Sequence, residues 1–305
     1  MPTPGEMAAV FERIRTAVLQ EATRPSPDDA KRHVENQAKF TEELAASCKN
    51  AQLRADMTAD ELWWHVWTKI RYAGFSALYV TGEIERLTPF FNDLRALTGP
   101  EWHFDPDGGA HGEAVREFLN KTGRFAGISY IKLAPKLHKI LAAAEVFQAV
   151  PAGAQALAAL FGDGYDGPGD EALWRAHDRL ARLVGDTTAL HVMMSIGFNC
   201  VKPDIWMVRL MCLLGWIEDT LPAASADAVI RKNYQKRPIA KAVITRARQI
   251  AKEMRAWHPE APLREFDFVM VSYGQKPKIE YGIVRSLHND WLPVQQIMEW
   301  HPSSG

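Results

Sequence analysis

The chain has 305 residues, of which 47% are hydrophobic and 24% are charged, and its formal net charge is −1. This is the composition of an ordinary globular protein, so it excludes collagen-like, wholly disordered and disulfide-rich chains. The three cysteines, Cys48, Cys200 and Cys212, are too widely spaced for a CxxC zinc site or a four-thiolate iron–sulfur cluster. We therefore expect no iron–sulfur cluster.

The sequence has no pattern typical of export or membrane insertion. The N-terminus lacks a basic start followed by an apolar run, and no uncharged apolar stretch reaches the roughly 18 residues needed to span a bilayer. We expect a cytoplasmic protein without a membrane span, and the sequence leaves its oligomeric state open.

Apolar residues recur every three or four positions along most of the chain, which predicts a mainly α protein. In chain order, this periodicity predicts helices over residues 29–48, 58–96, 113–121, 132–148, 171–184, 187–197, 205–217, 226–256 and 263–273. Thr58 and Glu61 have the spacing of an N-terminal capping box. The segment 279–284 is the best candidate for a short strand.

We expect three parts along the chain. Residues 1–57 form an N-terminal helical extension that packs with the C-terminal part. Residues 58–216 form a helical core, and residues 217–305 form a C-terminal helical part that contains a basic helix.

Residues 231–255, here called the basic segment, contain nine basic residues and one acidic residue. The basic residues are Arg231, Lys232, Lys236, Arg237, Lys241, Arg246, Arg248, Lys252 and Arg255. Such a block in a nearly neutral protein indicates contact with a polyanion. The alternative is a solvated helix face with no ligand.

The segment with the clearest chemical content is residues 180–216. One predicted helix ends in a tight turn at Gly185 and another begins near Thr187, so backbone N–H groups at a helix N-terminus are available to a phosphate. Asp204 precedes the next predicted helix, whose positive dipole end stabilises an ionised carboxylate. The alternative is that Gly185 is only a C-cap and Asp204 only an N-cap.

These residues resemble the signature of the helix-hairpin-helix DNA glycosylase superfamily, of the endonuclease III and alkyladenine glycosylase type. Gly185-Asp186-Thr187-Thr188-Ala189 matches the hairpin exit, Asp204 matches the catalytic aspartate, and Leu214-Gly215-Trp216 matches the end of the following helix. Residues 127–139, with Lys132 at the family's lysine position, and residues 263–274 resemble two further family helices. The resemblance spans about residues 60–274.

The chain departs from the family pattern at three positions. Leu183 replaces the first hairpin glycine, and Arg182 replaces the proline before it. Thr187 stands where bifunctional members carry a Schiff-base lysine, so the resemblance implies a monofunctional enzyme that uses water and has no lyase activity.

The resemblance implies a fold of two helical subdomains with the active-site cleft between them. It also implies an enzyme that binds double-stranded DNA, flips a base out of the stack and hydrolyses its N-glycosidic bond, leaving an abasic site. No cofactor and no metal are implied. We expect the substrate to be an alkylated purine, or a bulky modified base in foreign DNA such as that of a phage. The second expectation rests on the size of the chain and on the altered hairpin.

The resemblance and the residue types together give a set of candidate site residues. Asp204 is the catalytic candidate. The candidates for binding the DNA backbone are Val184, Gly185, Asp186, Thr187, Thr188, Lys202, Arg231, Lys232, Lys236 and Arg237. The candidates for the base pocket or for filling the gap in the DNA are Trp63, Trp67, Arg71, Tyr72, Tyr130 and Trp206. For the aromatic residues the alternative is core packing, and for Arg71 it is a surface position.

Two other functions fit parts of the sequence. His177-Asp178, with His138 upstream and Asp204 downstream, has the residue order of the HD-type metal-dependent phosphohydrolases. A DNA-binding helical protein without catalysis would explain the basic segment but not Asp204.

Overall fold

A computed structural model describes residues 1–22, 42, 45–46, 54, 56–73, 80, 84–85, 87–89, 91–97, 130–151, 155–167, 169–222, 225, 227–254 and 262–279. All regular secondary structure in these residues is helical, which confirms the mainly α class. The helices are α1 (Pro4–Ala22), α2 (Ala59–Tyr72), α3 (Leu94–Leu97), α4 (Tyr130–Phe147), α5 (Gln155–Phe161), α6 (Asp170–Val184), α7 (Asp186–Ser195), α8 (Ile205–Leu213), α9 (Asp227–Asn233), α10 (Arg237–Glu253) and α11 (Pro262–Ile279). Among these helices, none is long and apolar enough to cross a membrane.

The chain divides into two compact units. Unit 1 comprises residues 1–52 and 197–305, and unit 2 comprises residues 53–196. The two ends of the chain therefore belong to one unit. The boundaries expected from the sequence, at 57/58 and 216/217, stay predictions.

In unit 2, α2 packs against α4 and α7, and α6 packs against α4, α5 and α7. The predicted capping box at the start of α2 is confirmed: the Thr58 hydroxyl accepts the Glu61 N–H at 3.2 Å, and the Glu61 carboxylate accepts the Thr58 N–H at 2.8 Å. The pair satisfies two of the otherwise unbonded donors at this helix end. A buried core that includes Leu160 and Leu180 supports the connection between α6 and α7.

In unit 1, α1 packs against α10 and α11, and α8 packs against α9, α10 and α11. Phe11 of α1 stacks on Phe266 of α11 with ring centroids 5.0 Å apart. Arg15 donates to the fully buried Glu265 at 2.7 Å, which adds a charged contact to the same interface. Helix α10 is amphipathic, and its buried stripe consists of Ile239, Ala240, Val243, Ile244, Ala247 and Ile250.

Several predicted helices differ from the observed ones. The predicted helix 226–256 is wrong as one element, because a turn at residues 234–236 separates α9 from α10, which begins beside Pro238. The predicted helix 205–217 ends at Leu213, since Gly215 has a φ of +68°. The periodicity missed α1 and α5.

The remaining predictions fall partly outside the described residues. This applies to most of 29–48 and to all of 113–121. Of the candidate strand at 279–284, only Ile279 is described, and it ends α11. Helix α11 therefore extends beyond the predicted segment 263–273.

Candidate functional site

The predicted hairpin in unit 2 consists of α6, the single residue Gly185 and α7. Gly185 has a φ of +87°, a conformation that favours glycine. Its N–H bonds the Ala181 carbonyl at 2.8 Å, and its own carbonyl accepts the Ala189 N–H at 2.9 Å. One residue thus closes α6 and opens α7.

The first turn of α7 presents backbone donors at the surface. The N–H groups of Asp186, Thr187 and Thr188 open the helix, where no preceding turn supplies a carbonyl acceptor. Gly185 and Asp186 are exposed and the two threonines are half-buried, whereas Val184 packs its side chain into the core. This helix end has the geometry of a phosphate site.

His177 braces the hairpin, a role that the sequence did not reveal. Its buried ring donates from Nε2 to the Asp186 carbonyl at 3.1 Å, and its Nδ1 lies 3.3 Å from the Asp178 carboxylate. Trp174 meets the same ring edge-on at 5.2 Å between centroids. Both ring nitrogens of His177 are therefore engaged within the hairpin.

If the protein were a metal-dependent phosphohydrolase, His177 would have to bind the metal together with further ligands. The side chain of His138 lies outside the description. In the part of the chain that the structure describes, no three His, Cys, Asp or Glu side chains come together as a set that could hold a metal ion.

Asp204 in unit 1 caps α8, as the sequence predicted. Its Oδ1 accepts the Trp206 N–H at 2.9 Å, and its Oδ2 lies 3.3 Å from the Lys202 ammonium. Both side chains are 21% exposed. Asp204 therefore lies at the positive end of the α8 dipole and beside an ammonium, and its side chain is partly exposed.

A network of charged side chains links α8 to α9. The guanidinium of the buried Arg209 lies 4.6 Å from the centroid of the half-buried Trp206 ring. Arg209 Nε donates to Asp227 at 2.6 Å, and Asp227 also accepts from Arg231 at 2.6 Å. Burial opposes ionisation of Asp227, but these two arginines outweigh it and hold its pKa below the usual value. The Trp206 ring thus contacts the buried Arg209 guanidinium, which is itself bound to the Asp227 carboxylate.

The basic segment contains cations with two different environments. Lys232, Lys236 and Arg237 are exposed around the turn between α9 and α10. Arg246 donates to the Trp216 carbonyl at 2.9 Å, and Arg248 donates twice to the Asn199 carbonyl, at 2.9 and 2.6 Å. The exposed cations near the turn are therefore the ones best placed for a polyanion, while Arg246 and Arg248 support neighbouring loops.

The predicted base-pocket residues of unit 2 lie mostly in the interior. Trp63 and Trp67 are 0% exposed; their indole N–H groups donate to the Phe91 carbonyl at 2.5 Å and to Asn92 Oδ1 at 3.0 Å. Arg71 is also fully buried, which differs from both the gap-filling and the surface role considered for it. Tyr72 is half-buried under Lys69, whose ammonium lies 5.5 Å from the ring centroid.

Of the other two pocket candidates, Trp206 is the one whose side chain the structure describes. Tyr130 begins α4, and its side chain lies outside the description. Trp206 is the second residue of α8 and follows Asp204 by two positions.

The chain matches no known protein-family model, no curated protein and no solved structure. The resemblance to the helix-hairpin-helix glycosylases therefore stays a prediction. What the site does has to follow from its own residues and their geometry.

Proposed function

We propose that the protein is a monofunctional DNA glycosylase with the helix-hairpin-helix fold, which flips a modified base out of double-stranded DNA and hydrolyses its N-glycosidic bond. The observation that carries the proposal is Asp204: a partly exposed carboxylate at the N-terminus of α8, 19 residues after the glycine turn at Gly185. This is the order and spacing expected of the hairpin and the catalytic aspartate.

Asp204 is suited to the charge that develops in this reaction. As the bond between C1′ and the base breaks, the deoxyribose acquires oxocarbenium character, and an adjacent carboxylate stabilises that cation. Oδ1 accepts the Trp206 N–H and Oδ2 pairs with the Lys202 ammonium. We propose that Oδ2, which is not bound to the backbone, faces the sugar or accepts a proton from the attacking water.

DNA binding is supported by features within each unit. In unit 2, the N–H groups at the start of α7 suit a phosphate oxygen. In unit 1, Lys232, Lys236 and Arg237 add exposed positive charge around the start of α10. We propose that both features bind the DNA backbone, which fixes the position of the duplex but carries no sequence information.

The proposal is tested with duplexes that carry one modified base each, followed by alkaline cleavage at abasic sites. The panel includes alkylated purines and cytosines with bulky 5-substituents of the kind found in phage DNA. Alkali-dependent strand cleavage at the modified position, lost in Asp204→Asn, is the expected result. DNA binding without release of any base would favour a non-catalytic DNA-binding protein. Phosphate-ester hydrolysis that requires a divalent metal would favour the phosphohydrolase.

A further inference from the structure

Two cations flank the start of α8. The Lys202 ammonium lies 3.3 Å from Asp204 Oδ2, and the Arg209 guanidinium lies 4.6 Å from the Trp206 ring centroid. Both contacts lie within one short segment, residues 202–209. Arg209 is buried, the Lys202 and Asp204 side chains are 21% exposed, and Trp206 is half-buried. Stabilising the sugar cation requires a carboxylate alone, so neither lysine nor arginine is explained by Asp204's role.

We propose that the excised base is electrically neutral rather than a cationic alkylated purine, and that Lys202 protonates it as it departs. This inference rests on the proposed glycosylase function and names the substrate class of the same site. It assigns to Lys202 the role of general acid beside Asp204.

The leaving group explains why such an acid is needed. A cationic alkylated base departs as a neutral molecule and needs no proton. A neutral base would depart as an anion, so a positioned acid lowers the barrier to its departure. An ammonium beside the reacting bond therefore assists the departure of a neutral base only, and its charge repels a cationic base.

The Trp206 ring also favours a neutral base over a cationic one. A base that stacks on Trp206 meets an indole whose electrons already interact with the Arg209 guanidinium. This cation is buried and held by Asp227, so it stays beside the ring. A second cation gains little from such a ring, whereas a neutral base keeps its stacking interaction.

The ion pair also allows the proton to return. The C1′–N bond breaks with its electron pair going to the base nitrogen, which takes a proton from Lys202 Nζ. Water then adds to C1′ and gives a proton to Asp204 Oδ2. Transfer of that proton from Oδ2 to Nζ, which are 3.3 Å apart, restores the carboxylate and the ammonium. The products are the free base and an abasic sugar, and the only reactant consumed besides DNA is water.

The experiment compares excision of neutral and cationic bases by the full chain. Duplexes carry uracil, hypoxanthine, 8-oxoguanine, a cytosine with a bulky 5-substituent, or the cationic 7-methylguanine. Each rate is expressed as acceleration over spontaneous base loss. We expect at least one neutral base to show an acceleration that exceeds that of 7-methylguanine by tenfold or more. A larger acceleration for 7-methylguanine than for every neutral base would overturn the inference, while no acceleration for any base would overturn the proposed function itself.

Two variants of Lys202 distinguish a role as proton donor from a role as a positive charge alone. Lys202→Met should lower the ratio of neutral to cationic excision by about a hundredfold, the usual contribution of a general acid. Lys202→Arg keeps the positive charge but cannot release a proton at neutral pH, so it should lower the ratio as far as Lys202→Met. Lys139→Met, which removes an exposed lysine from α4, is the matched control and should leave the ratio unchanged.

Two results would contradict the role given to Lys202. Wild-type ratios in Lys202→Arg would show that the residue supplies charge alone. Equal losses on neutral and cationic bases in Lys202→Met would show that it only holds Asp204 or a DNA phosphate. Thermal unfolding of each variant identifies any loss that comes from misfolding.

Discussion

Gly274 of α11 lies directly against the backbone of Trp206 at the start of α8. A Cβ atom built on Gly274 would lie 3.0 Å from both the Cβ and the carbonyl oxygen of Trp206. A Cβ at this distance is tighter than nearly all real Cβ contacts, so glycine favours the close approach of α11 to the turn that Asp204 caps. The contact joins two positions 68 residues apart in the chain.

Gly274→Ala should destabilise unit 1 and lower base excision. The added methyl group meets backbone atoms, which cannot move aside as a flexible side chain can. Overpacking of this kind costs about 1–3 kcal/mol, and the better helix propensity of alanine offsets roughly 0.5–1 kcal/mol of that. We expect a lower thermal unfolding midpoint and reduced excision.

Gly5→Ala is the matched control, because Gly5 lies in α1 and a Cβ there would meet nothing within 4 Å. It should leave both measurements unchanged or raise the unfolding midpoint slightly. If Gly274→Ala behaves like Gly5→Ala, the close approach does not support the site.

Asp204→Asn should abolish excision while leaving the fold and DNA binding intact. Asparagine caps helices about as well as aspartate, so the bond to the Trp206 N–H can be kept. The variant loses the negative charge that faces the sugar cation. We expect the excision rate to fall roughly a hundredfold or more, measured in single-turnover assays with saturating enzyme. Excision close to that of the wild type would show that Asp204 is only a helix cap.

Replacing Arg231, Lys232, Lys236 and Arg237 together with alanine should flatten the salt dependence of DNA binding. The slope of log K against log salt changes by about 0.9 for each DNA phosphate that the protein no longer neutralises. Arg231 already pairs with Asp227, so Lys232→Ala and Lys236→Ala should each change the slope more than Arg231→Ala. Binding titrations at several salt concentrations measure these slopes.

Arg248→Ala is the control within the basic segment. Arg248 holds the Asn199 carbonyl, so its loss should lower stability without changing the slope. An unchanged slope in the fourfold variant would instead identify the basic segment as a solvated helix face.

The parts of the site that the sequence predicted correctly depend on local signals. The glycine turn at Gly185, the cap at Asp204 and the capping box at Thr58 each involve residues within four positions of one another, and all three are confirmed. Local spacing determines which backbone donors a side chain can reach, so such features can be recognised without a structure.

The parts that the sequence could not predict depend on contacts between distant residues. Periodicity places Trp63 and Trp67 on one helix face, but it does not say whether that face meets DNA or the core that buries it. Likewise, the sequence pattern allows His177 to be interpreted as a metal ligand. Only the structure reveals that its ring contacts the Asp186 carbonyl. The pairing of Arg209 with Asp227, 18 positions away, needed the packing of α8 against α9.

If the protein is the proposed monofunctional glycosylase, we expect it to leave an intact strand with an abasic site, without β-lyase cleavage. That reaction needs an unprotonated amine to attack C1′ and form a Schiff base. In the proposed fold, Thr187 stands where bifunctional glycosylases carry a lysine, and its hydroxyl cannot form an iminium. Lys202 lies on a loop, as expected, but its ammonium pairs with Asp204 instead of extending into solvent, and an ammonium cannot act as a nucleophile.

Borohydride trapping tests this prediction directly, because reduction of a Schiff base leaves a covalent protein–DNA adduct. We expect no adduct with a modified duplex or with a preformed abasic site, and strand cleavage only after alkali or a separate endonuclease. Lys202→Ala should give the same result as the wild type in the trapping assay. An adduct stoichiometric with product and lost in Lys202→Ala would make Lys202 a nucleophile. That outcome would contradict the monofunctional assignment, since the amine that attacks C1′ would then lie beside Asp204 and not at the hairpin exit.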